Sequence, residues 1–441
     1  MAPQKFDFSI PRMGACRVPS PLQLSTRLDD MQANYVSDDE YIIYDVQASP
    51  DETFTYAKNE LVEKAGPRKE IFFDPSKVHA GIVTCGGLCP GLNQVIRAIV
   101  MTLWYQYGVR SIFGIRFGYR GFLPDYHLPE IHLTPDIVVD IHQMGGTILG
   151  SSRGGGDRIS DIVDSMERMN LSMLFTIGGD GTQKGALKIA EEVHKRGMKI
   201  AVVGIPKTID NDLSFIQKSF GFETAVSKAV EAVAGAHVEA HDAVNGVGIV
   251  KLMGRESGFI AAHTALGTND VNYVLIPEVP FDLYGEKGLF EHVKRRLASR
   301  NHALIVAAEG AGQDIMEKVP KDVDASGNKK LGDFGVYLRE QMLAYFQQQR
   351  IDINLKYIDP SYIIRSLPAD PGDAVYCNRL GTNAVHAAMS GRTQMLISLI
   401  NNTFVHVPMH LAVMKRNRVD PEGPLWRDVL IGTGQPAWMK N

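Results

Sequence analysis

The segment Ile205-Pro206-Lys207-Thr208-Ile209-Asp210-Asn211-Asp212-Leu213 sets a lysine, a threonine and two carboxylates directly after the apolar run KIAVVG. A hydroxyl that attacks a phosphoryl group needs a carboxylate within hydrogen-bond reach to accept its proton. It also needs cations to offset charge on the group in transit. Asp210 suits the first task, and Lys207 suits the second beside a magnesium ion. The DND triplet also suits a plain turn, but a turn does not require the lysine and both carboxylates.

Three glycine-rich loops follow apolar runs: CGGLCPGLN (85–93), GSSRGGGDR (150–158) and GGDGTQKGA (178–186). Glycine lets backbone amides approach phosphate oxygens closely, and a helix starting just beyond adds its positive dipole end. A single such loop is an ordinary turn; the repetition points to phosphate binding. Arg153 adds a fixed positive charge suited to phosphate oxygens. Asp180 could hold Mg²⁺, with waters and phosphates completing the octahedron. The alternative is an aspartate capping a helix that begins at Thr182.

Further on, KLMGRESGF (251–259) places Arg255 after a β-branched run, AAEGAG (307–312) places Glu309 likewise, and YIIRS (362–366) adds Tyr362 and Arg365. Two arginines and a carboxylate suit a phosphorylated polyol, cations for its phosphate and an acceptor for its hydroxyls. Taken singly, each also reads as a surface or salt-bridge residue.

The elements that must carry these groups are legible from His79 onward. Short runs (AGIVT, SIFGIRF, MLFTIGG, KIAVVGIP, GVGIVKLMG, NYVLIPE, HALIVAAEG, LKYIDP, TQMLISLI) alternate with stretches of helical period, such as Val226, Ala229, Val230 and Val233. Strands alternating with helices predict an α/β chain of two doubly wound parallel-sheet domains with the active site in the cleft between them, since ligands bind beyond the C-terminal strand ends. The expected divisions are an N-terminal extension over 1–78, a nucleotide-binding domain over 79–221 with 365–398, a sugar-phosphate domain over 222–364, and a C-terminal segment over 399–441 packing across the domains.

Composition narrows the class. Of 441 residues 44% are hydrophobic and 22% charged, and Lys+Arg 46 against Asp+Glu 50 leaves a net charge of -4. That balance lacks the basic field of a nucleic-acid binder. No run approaches the length of a membrane span, and the opening residues lack the order of a secretory signal. Four cysteines (Cys16, Cys85, Cys89, Cys377) make no disulfide framework and fit a reducing, cytoplasmic setting. No second Cys/His pair joins Cys85 and Cys89 to complete a zinc site.

With these residues in view the chain resembles the phosphofructokinases, from about His79 to Gly391. GIVTCGGLCPGLN, GGTILGSSRGGGD, GGDGT, PKTIDND, GFETA, MGRESGFIA, PE, AEG and DAVYCNRLG fall in that family's order and spacing. PKTIDND with lysine, the stretch GVGIVKLMGR and the long extension resemble the ATP-dependent enzymes of plants and trypanosomatids. The resemblance implies that Gly87, Tyr119, Arg153, Gly154, Gly179, Gly181 and Thr182 line ATP while Asp180 holds Mg²⁺. It implies that Thr208, Ile209 and Asp210 sit at the reacting hydroxyl, with Lys207 and Arg255 assisting transfer. Met253, Gly254, Arg255, Glu309, Tyr362, Ile363, Ile364 and Arg365 would bind fructose 6-phosphate. Lys356 stands where bacterial enzymes place an arginine reaching in from a neighbouring subunit, which implies a homo-oligomer, a tetramer. Asn245 replaces a second such arginine, and Met101 replaces an effector-site arginine, so bacterial-style ADP activation is not supported.

The donor rests on two residues. Pyrophosphate enzymes of the family usually carry Asp where this chain has Gly181, and a carboxylate there would repel an α-phosphate. Lys207 points the other way, because pyrophosphate enzymes carry lysine in that motif. Gly181 is the more direct constraint and favours ATP. NAD and lipid kinases also use GGDGT, but PKTIDND, MGR and YIIR favour a sugar phosphate. A regulatory subunit that has lost catalysis is the remaining alternative, and it is disfavoured by the presence of Asp180, Asp210 and Arg255.

Overall fold

The computed structural model describes residues 6–46, 56–316, 322 and 330–441. Parts of the expected extension, 1–5 and 47–55, lie outside the described residues. In chain order the strands of the two large sheets are β1 (His79–Thr84), β2 (Ser111–Ile115), β3 (Ile131–His132), β4 (Met173–Gly178), β5 (Ala201–Pro206), β6 (Gly246–Leu252), β7 (Tyr273–Leu275), β8 (His302–Ala308), β9 (Asn354–Ile358), β10 (Met395–Ile400) and β11 (Thr403–Pro408). The helices that bear on the site are α1 (Leu92–Met101), α2 (Asp180–Lys195), α3 (Phe222–His241), α4 (Phe259–Thr268), α5 (Phe334–Gln348), α6 (Ser361–Arg365) and α7 (Pro371–Met389).

The chain divides into two compact units, Met1–Thr208 with Leu213–Gly221 and Leu367–Arg416, and Ile209–Asp212 with Phe222–Ser366 and Asn417–Asn441. Residues up to 78 therefore count with the first unit. The stretch after 398 is shared between the two.

The first unit holds a seven-stranded sheet in the order β11-β10-β5-β4-β1-β2-β3. Strands β10, β5, β4, β1 and β2 run parallel, and β11 and β3 are antiparallel edges. Every residue of β4 and β5 is buried, as expected where helices cover both faces and a strand reads as a continuous apolar run. The chain leaves β1 for β2 on one side and returns to β4 on the other. That reversal places the loops after β1 and β4 side by side, at the point where parallel sheets bind ligands. The edge hairpin β10–β11 was not foreseen. Its two-residue turn, Asn401-Asn402, has φ of 48° and 63°, the conformation a tight hairpin requires and asparagine tolerates.

The second unit holds four parallel strands in the order β7-β8-β6-β9. Its core gathers Val247, Ile249, Leu275, Phe290, Ile305, Phe334, Leu338 and Phe346. Again the connections diverge around the first strand, β6, so the loops after β6, β8 and β9 emerge at the C-terminal end of the sheet.

Within the first unit the extension is fastened by a buried polar knot. Glu63, 4% exposed, accepts hydrogen bonds from Arg392, from Arg68 at 3.2 Å, from Arg12 at 3.1 Å and from His406 Nδ1 at 3.1 Å. Asp38 takes the same three guanidiniums at 2.7–2.8 Å. Beside it Phe6, Phe8 and Tyr44 pack around Phe215, with centroids 4.8–5.6 Å apart. Phe215 holds a φ of 59°, unfavourable for a bulky residue and maintained by such packing.

Burial holds His406 neutral, its pKa pushed down to about 4, and holds His386 down to about 3. An unfolded histidine titrates near 6.5. Between those values the unfolded chain binds more protons than the folded one, so stability is lost as pH falls from about 6.5 towards 4. Thermal unfolding between pH 7 and 5 should show a falling midpoint, with His406→Gln flattening part of the slope. A midpoint level across that range would contradict the assignment.

Candidate active site

In the first unit β4 ends at Gly178, Gly179 occupies the N-cap of α2, and the helix starts at Asp180. The sequence placed that start at Thr182. Asp180 is thus the first residue inside the helix rather than its cap, and the cap makes no side-chain hydrogen bond. The leading amides of an α-helix lack intrahelical partners, which makes this a natural anion site. Gly181 is exposed there and Thr182 is buried. In the 150–158 loop Gly154 has a φ of 86° and Arg153 is exposed.

Tyr119, expected to line the nucleotide, is instead 3% exposed, and its hydroxyl donates to Thr182 O at 2.7 Å. It braces the first turn of α2 from behind. An apolar ring is more stable under the loop than on it, and burial pushes its phenol well above the usual range.

Lys207 follows β5 and is 5% exposed. Its Nζ donates to Gly87 O at 2.5 Å, so the ammonium sits at the glycine turn after β1. Its backbone N–H donates to Gly178 O at 3.1 Å, and the Ser219 hydroxyl donates to Thr208 O at 2.6 Å. Gln183 went unnoticed in the sequence. Fully buried on α2, it turns the two hydrogens of Nε2 towards Thr176 O, Gly178 O and Ile205 O, all 3.0–3.2 Å away, so that one hydrogen is shared between two carbonyls. One amide thereby ties the tips of β4 and β5, which carry GGDGT and PKTID. The available signal was a polar residue at a position of apolar helical period.

The donor chemistry at Asp180 fits magnesium. Its carboxylate, 12% exposed, lies 3.0 Å from Lys184 Nζ and 3.5 Å from Arg416 Nη2. It offers a hard carboxylate oxygen at a helix start, with two cationic side chains close by. Magnesium typically takes one or two carboxylates and completes its shell with phosphates and water, and no all-protein cage of three acidic or imidazole ligands occurs among the described residues.

In the second unit Ile209 is buried, and Asp210 O accepts from the Ser257 hydroxyl at 3.3 Å. Ser257 lies two residues past Arg255, so the loop after β6 grips the segment carrying the candidate base. Gly254 has a φ of 126°, and a Cβ on Gly310 would collide with Arg255 O. The loops after β6 and β8 thus press backbone to backbone, with Glu309 N donating to Leu252 O at 2.8 Å. Burial raises the Glu309 carboxyl, and the charges of Arg255 and Lys251 oppose the rise.

Helix α6 presents Tyr362, 74% exposed, with the Arg365 guanidinium 4.7 Å from its ring centroid. Ile363 is exposed, whereas Ile364, expected among the substrate contacts, is fully buried and anchors the helix instead. Met253 is half-buried. Lys356 projects from edge strand β9 with its side chain 45% exposed and Glu239 3.9 Å away. Asn245 closes the turn before β6 with a φ of 48°, donating to Asp352 O at 2.9 Å.

The family model described as Phosphofructokinase matches residues 79–388. An ATP-dependent 6-phosphofructokinase of Borreliella burgdorferi is 55% identical over 99% of this chain and 99% of its own. ATP-dependent 6-phosphofructokinase 7 of Arabidopsis thaliana is 50% identical over 85% of this chain and 77% of its own. The crystal structure of a pyrophosphate-dependent phosphofructokinase from Marinobacter aquaeolei shares the fold at TM-score 0.65, with 20% identity, covering 81% of this chain and 91% of its own.

Replacing Gln183 by leucine keeps the volume and removes the donor. The change should destabilise the first unit by about 1–3 kcal/mol and weaken nucleotide binding. Calorimetry and nucleotide titration check this, and an unchanged midpoint with unchanged binding would contradict the role given to Gln183.

Proposed function

The chain belongs to the phosphofructokinase family, and from that premise we propose how its residues move the γ-phosphoryl of ATP to the 1-hydroxyl of fructose 6-phosphate. The observation that carries the choice of reaction is the end-to-end match to an enzyme named for it, 55% identical over 99% of both chains. Gly181 at the exposed start of α2 supports ATP as donor, because a glycine there leaves space and adds no charge against an α-phosphate.

The leading amides of α2 and the loops holding Gly87, Arg153 and Gly154 bind the polyphosphate. Asp180 would hold a magnesium ion, which when bound offsets the phosphates' negative charge. Lys207, fixed at the turn after β1, supplies a further positive charge near the group in transit. Asp210 accepts the proton of the 1-hydroxyl, and Thr208 and Ile209 align the segment that presents it. Arg255 and Arg365 hold sugar-phosphate oxygens, Glu309 accepts from a sugar hydroxyl, and Tyr362 covers the ring. The exposed ammonium of Lys356 on edge strand β9 supports a contact to a neighbouring copy in a homo-oligomer, a tetramer. None of the four cysteines is in a disulfide, which supports a cytoplasmic setting.

Replacing Asp210 by asparagine preserves shape and removes the proton acceptor. In a steady-state assay kcat should fall by roughly 10²–10⁴ while KM for both substrates changes little. Wild-type turnover in that variant would remove Asp210 from the role of base.

A further inference from the structure

The ammonium of Lys251 is buried at the C-terminal end of β6, with 11% of its side chain exposed. Its Nζ lies 2.7 Å from Asp359 Oδ2 and 3.4 Å from Asp333 Oδ1. The three residues come from three elements. Lys251 is the penultimate residue of β6, Asp359 lies one residue past β9, and Asp333 is the N-cap of α5, accepting from Val336 N at 3.2 Å. A buried charge is tolerated only with countercharges in good geometry, so the ammonium fixes these ends relative to one another.

Asp359 divides its oxygens between two tasks. Oδ2 takes Lys251, and Oδ1 takes the backbone N–H of Ser361 at 3.1 Å and its hydroxyl at 2.5 Å. Ser361 opens α6, the helix that carries Tyr362 and Arg365. Two residues beyond Lys251 the chain enters Met253-Gly254-Arg255, and the backbone of Leu252 receives Glu309 N. Each group assigned to the sugar phosphate on these three loops is therefore one or two links from the same ammonium.

We propose that Lys251 is a positioning residue for fructose 6-phosphate, its ion pairs with Asp359 and Asp333 setting where Arg255, Glu309 and the α6 side chains stand. The proposal rests on the assignment of these loops to the sugar phosphate made above. Lys251 touches no reacting group in this account and acts only through its neighbours. It also shapes the charge on Glu309, which faces Arg255, Lys251, Asp359 and Arg365. Loss of the Lys251 charge would let the Glu309 carboxyl titrate at higher pH.

The test compares Lys251→Met, Lys251→Arg, Asp359→Asn and the Lys251→Met/Asp359→Asn double variant in the full chain. Misplacing binding groups by an ångström is enough to lower turnover efficiency roughly tenfold to hundredfold. Lys251→Met should raise KM for fructose 6-phosphate by at least that lower figure and shift the acid limb of kcat/KM for the sugar to higher pH. KM for ATP should stay within about twofold. Lys251→Arg should recover part of the loss, and the double variant should be no worse than the poorer single. An unchanged sugar KM and pH profile, or equal losses for both substrates, would overturn the proposal. Where Lys251→Met fails to fold, Lys251→Arg and Asp359→Asn decide on the same readouts. Arg255→Ala serves as the control: if it also leaves sugar binding intact, the assignment of the loops is at fault, whereas an effect there and none at Lys251 places the fault with Lys251.

Discussion

A polar atom shut away from water must find its partners inside the protein, and a side chain that meets several at once admits one geometry. The ends of the parallel strands in this chain are held by such atoms. Gln183 joins the tips of β4 and β5 through three carbonyls, and Lys251 joins the ends of β6 and β9 to the start of α5. Glu63 does the same for the extension through Arg12, Arg68, Arg392 and His406. Strand tips set in this way turn glycine-rich loops, otherwise the most pliable part of the chain, into fixed cradles.

The segment Lys207–Asp210 gains most from this arrangement. Lys207 and Thr208 belong to the first unit, and Ile209 and Asp210 to the second. Three residues of chain span at most about 10 Å, so the cation and the proton acceptor are tethered by covalent geometry. Serine hydroxyls hold the carbonyls of Thr208 and Asp210, from Ser219 and Ser257 respectively. Each carbonyl is held within its own unit, Thr208 O in the first and Asp210 O in the second.

Much of this was legible in the sequence, for identifiable reasons. Strands buried on both faces must be apolar throughout, so runs such as MLFTIG and AVVGIP declare themselves, and the loops after them carry the chemistry. Pairing order and distant contacts leave no such trace. Gln183 falls at a position of apolar helical period, but its carbonyl partners on β4 and β5 appear only once the sheet is paired. Lys251 reads as a lysine in a strand until Asp333 and Asp359, far along the chain, are brought to it. The β10–β11 hairpin was signalled only by Asn401-Asn402. Tyr119 and Ile364 were expected to face ligands, but a phenol with a carbonyl to bond and an aliphatic side chain on a short helix are both more stable buried.

The central claim is that these cradles serve a nucleotide and not a bare diphosphate, with Gly181 the residue on which the distinction turns. Its most direct test follows fructose 1,6-bisphosphate formation from fructose 6-phosphate and Mg²⁺ in a coupled assay, with ATP and with pyrophosphate in parallel. The account predicts turnover with ATP and none with pyrophosphate. Turnover with pyrophosphate and none with ATP would contradict it and make Lys207 the better guide to the donor.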